Sequence, residues 1–179
     1  MTPIPLGILD FPTGAAGAYD LLETQVLTSD TASFTFTGLG SYTDYKHLQL
    51  RMVAITPFVR TPNIQFNADT GTNYSLHYLL GTGSSVISGG STSTANPYAG
   101  YSDDTGGAAV LDILDFSNTN KYTTFRSLAG QNDSSAPRIG LFSGLWMNTN
   151  AVTSFRIYVS NGDDLVTGSR FSLYGIKGA

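Results

Sequence analysis

The sequence has no cysteine, one glutamate (Glu23), one tryptophan (Trp146) and two histidines, and only 12 % of its 179 residues are charged. Each shortage removes a class of protein. Without cysteine there is no disulfide framework, no zinc–thiolate site and no thiol nucleophile. Charge at about half the usual quarter of residues fits neither a coiled coil nor a charge-driven disordered tail. The nine basic residues stand singly, from Lys46 and Arg51 to Arg170 and Lys177, and the net charge is −4. Phosphate backbones are bound by clustered Lys and Arg, which release counterions, so nucleic acid is not an expected partner. No run approaches the ~20 apolar residues that span a bilayer. Pro3, Pro5 and Pro12 interrupt the stretch where a signal helix would lie. Neither a membrane partner nor an export address is expected.

What is abundant is short and neutral. Thr, Ser, Gly and Asn make up 71 of the 179 residues, a composition that favours strands and turns over helices. From Tyr19 onward, apolar and polar residues alternate with period 2 between turn signals. The runs are residues 22–26, 34–36, 48–52, 64–66, 74–80, 110–116, 122–129, 139–147, 154–159 and 169–176. About ten strands and no convincing amphipathic helix predict an all-β fold, an antiparallel, jelly-roll-like β-sandwich.

Two segments break the rhythm. Residues 1–18 carry Pro3, Pro5 and Pro12 yet also Ile4, Leu6, Ile8, Leu9 and Phe11, too apolar for a solvated linker. They read as an extended arm ahead of a single sandwich domain at 19–179. The arm covers either its own sandwich or a partner chain, and these five apolar residues are its candidate contacts. Residues 81–107 are rich in Gly, Ser and Thr and far exceed an ordinary loop. They read as a contact loop anchored by Tyr98 and Tyr101.

The inventory for chemistry is thin. No nucleophile elbow or phosphate loop occurs, and His47 and His77 read as partly exposed strand residues. Neighbouring carboxylates such as Asp103 and Asp104, or Asp163 and Asp164, point to opposite sides of an extended chain and suit turns. Asp112 and Asp115 are not expected to share a face. No catalytic residue and no cofactor is expected. Asn67, Asp69 and Asn73 space oxygen atoms around Gly71 in the manner of a calcium loop, but the terminal bidentate Glu is missing. A turn whose side chains cap its own backbone is the preferred reading, calcium the alternative. Trp146 suits a core or subunit contact better than a sugar platform.

Several stretches resemble the β-rich virion structural proteins of tailed bacteriophages, especially phages of marine bacteria and cyanobacteria. They are residues 27–36 (LTSDTASFTF), 42–51 (YTDYKHLQLR), 66–77 (FNADTGTNYSLH), 143–148 (SGLWMN), 151–155 (AVTSF) and 168–177 (GSRFSLYGIK). The last is the most specific. The resemblance implies a non-enzymatic virion protein, made in the host cytoplasm and located at the particle surface. The expected role is capsid decoration (cement), with the major capsid protein and further copies of the chain as partners and a homotrimer by analogy. The alternative is a tail-associated receptor- or carbohydrate-binding module that presents Tyr98, Tyr101 and Trp146 to a host glycan.

Overall fold

The computed structural model describes residues 18–132 and 137–178. Eleven strands follow in order: β1 (Tyr19–Val26), β2 (Ser33–Phe36), β3 (His47–Ala54), β4 (Asn63–Phe66), β5 (Tyr74–Gly81), β6 (Val86–Thr94), β7 (Gly107–Leu114), β8 (Thr123–Gln131), β9 (Arg138–Trp146), β10 (Phe155–Tyr158) and β11 (Arg170–Ile176). One 3₁₀ turn at Leu39–Ser41 is the sole helical element among the described residues. Ten strands coincide with the alternating runs; the eleventh, β6, lies in the segment expected to be loop. The proposed arm lies outside the described residues, apart from Ala18, whose carbonyl accepts the Lys177 amide at 3.3 Å.

The strands form an antiparallel sandwich of unequal halves. The large sheet has eight strands in the order β1-β11-β3-β7-β8-β9-β5-β6, and the small one three, β2-β10-β4. The chain shuttles between the sheets from β1 to β5 and again from β9 to β11, and stays in the large sheet from β5 to β9.

Aromatic side chains fill the space between the halves. Phe34 stacks on Phe171 at 4.9 Å, and Phe66 meets Phe125, Trp146 and Phe155 at 5.7–6.5 Å. Such pairs add about 0.5–1.5 kcal/mol each beyond burial alone.

A three-stranded sheet cannot cover an eight-stranded one, and the remainder is roofed by the segment expected to project outward. After β6 the chain runs beside β4: the Ile64 amide donates to Pro97 O (3.0 Å), and Arg60 and Ser102 exchange backbone bonds at 2.8 and 3.0 Å. Tyr98 packs on Tyr78 and Phe142, and Tyr101, 2 % exposed, sets its ring edge against Phe142. Ala99 and Gly100 are small enough to let the backbone lie on the sheet, and Ser127 Oγ donates to Ala99 O at 2.6 Å. The contact loop at 81–107 with Tyr98 and Tyr101 as its anchors is therefore corrected: the segment is a hairpin strand followed by an inner roof, and its tyrosines face the core.

Strand β6 forms although only Val86 and Ile87 of its nine residues are large and apolar. It borrows a side chain from its neighbour. The Tyr78 ring lies over Gly89, where an added Cβ would sit 2.4 Å from the phenol oxygen. An aromatic laid across an edge glycine supplies the apolar contact the strand lacks.

Candidate functional site: the outer face of the large sheet

The calcium-loop candidates are occupied by the fold itself. Asn67 and Ala68 both take positive φ (48° and 57°), and the Asp69 amide donates back to Phe66 O at 2.8 Å. That is a tight turn of the type that needs two left-handed residues. Asp69 Oδ1 then accepts from the Gly71 amide (3.0 Å) and Asn73 Nδ2 (3.1 Å), and Oδ2 accepts from Asn73 Nδ2 (3.0 Å) and Trp146 Nε1 (2.8 Å). Partial burial pushes the Asp69 pKa up, but the bonds from Trp146, Asn73 and Gly71 outweigh it and hold the carboxyl below its ordinary 3.8. Asn67 turns elsewhere. Its Oδ1 accepts the Thr153 and Ser154 amides at 2.8 and 3.1 Å, and its Nδ2 donates to Ala151 O at 2.8 Å. The three residues do not converge on a common point; two build a turn and one ties down the loop before β10.

The remaining titratable groups serve structure in the same way. His47 and His77 lie on β3 and β5 with β7, β8 and β9 between them, about 19 Å apart by strand spacing. His47 Nδ1 accepts the Asp115 amide at 2.8 Å. Asp115 is held by Lys121, which is the main cause of its lowered pKa, and lies near Lys46 and His47. Asp103 Oδ1 accepts the Thr105 and Gly106 amides at 2.9 and 2.7 Å, closing the turn into β7. Asp163 pairs with Arg60 and accepts Asn161 Nδ2 in the turn between β10 and β11. Among the described residues, no group of three or more His, Cys, Asp or Glu is placed to hold a metal ion.

The outward face of the large sheet is different. Of thirteen large hydrophobic side chains exposed among the described residues, ten occupy its outward positions. Singly scattered apolar residues are ordinary; a concentration on one sheet face marks a contact surface. The register makes the pattern explicit. Val110, Leu128, Leu141 and Leu79 stand directly opposite one another across β7, β8, β9 and β5. Leu128 and Leu141 are 51 % and 54 % exposed.

This aliphatic ridge runs between two hollows. One, about 620 Å³, lies over Ala108 and Gly130 and is bounded by Arg51, Val110, Leu128 and Ile139. The other, about 870 Å³, lies towards a polar row in which Asp112, Arg126, Ser143 and His77 stand opposite one another. Gln49 Nε2 donates to Asp112 at 2.8 Å and Gln49 Oε1 accepts from Arg51 Nε at 2.9 Å. Arg126 has no ion pair among the described residues, although Asp112 is its cross-strand neighbour.

In β11, Phe171 and Leu173 point inward and Tyr174 outward, but a strand-by-strand reading misses the ridge. Its four members come from strands that are not all sequence neighbours. Only the register aligns them. Trp146, by contrast, is where the sequence placed it, buried at 1 %. No helix among the described residues is long and apolar enough to cross a membrane. Compared with known proteins, the chain matches no family model and no curated protein.

Proposed function

We propose that this protein is a non-enzymatic structural component of a phage particle, a decoration protein that binds the outside of the head. The observation that supports an assembly role is the aliphatic ridge and its flanking hollows on the outer face of the large sheet. A surface of that kind suits contact with another folded protein surface. The buried or half-buried carboxylates hold turns and strand ends, which suits a rigid building block. The particle and its head come from the resemblance to tailed-phage virion proteins. The apolar arm of residues 1–18 is the proposed anchor on the capsid. The competing reading, a glycan-binding tail module, calls on Tyr98, Tyr101 and Trp146, and these are directed into the core, so no observation favours it.

The test is attachment. Purified protein is incubated with phage heads stripped of it, the heads are sedimented, and occupancy is measured by gel and by electron microscopy. Full-length protein is expected to decorate the heads. A chain lacking residues 2–17 is expected to keep its strand-dominated circular dichroism and lose attachment. Full occupancy by the truncated chain removes the arm from the mechanism. Localisation of the intact protein to the tail alone refutes the decoration role.

A further inference from the structure

We infer that the outer face of the large sheet is a self-association surface, and that its occupant is the same face of a second copy of this chain. The inference goes beyond the decoration reading and does not depend on it.

Size comes first. Eight strands at ~4.8 Å spacing and about eight residues at ~3.3 Å rise give a face of roughly 34 by 26 Å, near 900 Å². A standard stable interface needs about 800 Å² from each partner, so one face against its own copy reaches that size without help from any other surface.

Self-complementarity comes next. A two-fold contact requires each copy to offer both halves of every interaction. A two-fold axis in the interface plane, parallel to the strands and between β7 and β8, sets β7 of one copy over β8 of the other. Val110 then meets the second copy's Leu128 on both sides of the axis, and Leu141 and Leu79 lie over the aliphatic stem of the second copy's Arg51 and over its Ser172. In the adjacent row, Asp112 meets the second copy's Arg126, and Arg126 the second copy's Asp112. That supplies the ion pair Arg126 does not make among the described residues of its own chain. Facing sheets prefer a rotation of about 30° at a separation of about 10 Å. The two ridges therefore meet at their Val110–Leu128 ends, and each carries its Leu141 towards the second copy's Arg51, at the edge of the hollow over Ala108 and Gly130. Such a contact closes at two copies, in place of the trimer that analogy suggested.

Sedimentation velocity and native mass spectrometry on the full chain, without heads, decide the matter. The wild-type protein is expected to dimerise, and Leu128→Asp, which places two carboxylates at the centre of the contact, to raise the dissociation constant at least ~100-fold. Circular dichroism of that variant checks that it is folded. Charge variants give an independent readout. Arg126→Asp and Asp112→Arg should each weaken self-association by like-charge contact, and an equimolar mixture of the two should recover dimers as mixed species. A chain that stays monomeric up to about 100 µM, where interfaces of this size are normally formed, overturns the inference. So does a dimer indifferent to all three substitutions. If deleting residues 2–17 from a monomer newly exposes the face to an apolar dye, the arm is the occupant and the inference fails. If the face becomes protected only when heads are added, the capsid is the occupant and it likewise fails. A dimer that ignores heads leaves the inference standing and removes only the decoration role.

Discussion

The two faces of the large sheet are built from the same strands and put their bulk in opposite places. On β8, Phe125, Ser127 and Ala129 point inward while Arg126, Leu128 and Gly130 point outward. On β9, Gly140, Phe142, Gly144 and Trp146 point inward, and Ile139, Leu141, Ser143 and Leu145 outward. The inner face alternates aromatics with glycine, alanine and serine; the outer face carries a level row of aliphatics. The inner pattern is that of a jigsaw, in which a few large rings need small neighbours to seat them. The outer pattern is graded, with nothing from the described residues above it to interlock with. Strands apolar on both faces normally belong to a sheet covered on both sides. Here only one cover comes from the described part of the chain.

If that contrast is correct, the largest effects lie inside. Phe125 is fully buried and meets Phe66 at 5.7 Å. Phe125→Ala is expected to cost about 3–5 kcal/mol, a loss of very roughly 6–20 °C in melting temperature for a domain of this size, read by thermal or denaturant unfolding. Next comes the fit around the ring. A Cβ added at Gly144 would sit 2.0 Å from Phe125 Cζ, so Gly144→Ala is expected to destabilise by about 1–3 kcal/mol through overpacking. If Gly144→Ala is neutral, the inner face is looser than a jigsaw and the contrast weakens.

The end of the inner face is pinned by Asp69, which accepts the Trp146 N–H. Asp69→Ala leaves that donor and the Gly71 amide without their acceptor, at a cost of about 1–3 kcal/mol. The carboxyls of Asp69 and Asp115 are both depressed below 3.8 in the folded state. A depressed carboxyl contributes stability that is fully present above its unfolded pKa and is lost as pH falls through its folded value. The protein should therefore hold its melting temperature from neutrality down to about pH 4 and lose it progressively below. Asp69→Ala should flatten part of that acid slope. An unchanged slope in the variant assigns the acid sensitivity to Asp115 and the other lowered carboxyls instead.

How much of this was legible beforehand depends on how far apart in sequence the deciding contacts lie. Ten strands showed through because each has its own alternation, as Leu48, Leu50 and Met52 do in β3. The turn at Asn67–Asn73 was legible as far as its bonds are local, those from Gly71 and Asn73 to Asp69, while the ties of Asn67 to the loop before β10 and of Asp69 to Trp146 reach across the fold. Strand β6 was not, since Val86–Thr94 carries no stripe of its own and is completed by Tyr78 of the strand beside it. Tyr98 and Tyr101 misled for a related reason: Gly and Ser around them signal a loop, and only the shortfall of three strands against eight makes the roof necessary. The ridge on the outer face needed the register of four strands at once, which no single run contains.

The smallest expected effect is the sharpest test of the comparison. Leu128 follows Ser127 on one strand, yet the serine is buried and the leucine half exposed. A reading by hydropathy alone would reverse them. Ser127 is held inside because its hydroxyl donates to Ala99 O, whereas Leu128 points away from the roof, to the opposite face of the sheet. In dilute solution, Leu128→Thr should therefore change the unfolding free energy by no more than about 0.5 kcal/mol, the range of an ordinary surface substitution, despite the loss of a large aliphatic group. Threonine also keeps the strand propensity of the site, so the substitution removes apolar surface and little else. The same change at high protein concentration should cost more, because the apparent stability of a self-associating protein includes the free energy of association. Unfolding curves for wild type and Leu128→Thr taken at two concentrations a hundredfold apart separate these contributions. A gap that opens only at the higher concentration shows that the outer face is used between molecules. A full-sized loss at both concentrations shows that the face is already covered within one chain, and the distinction between the two faces then disappears.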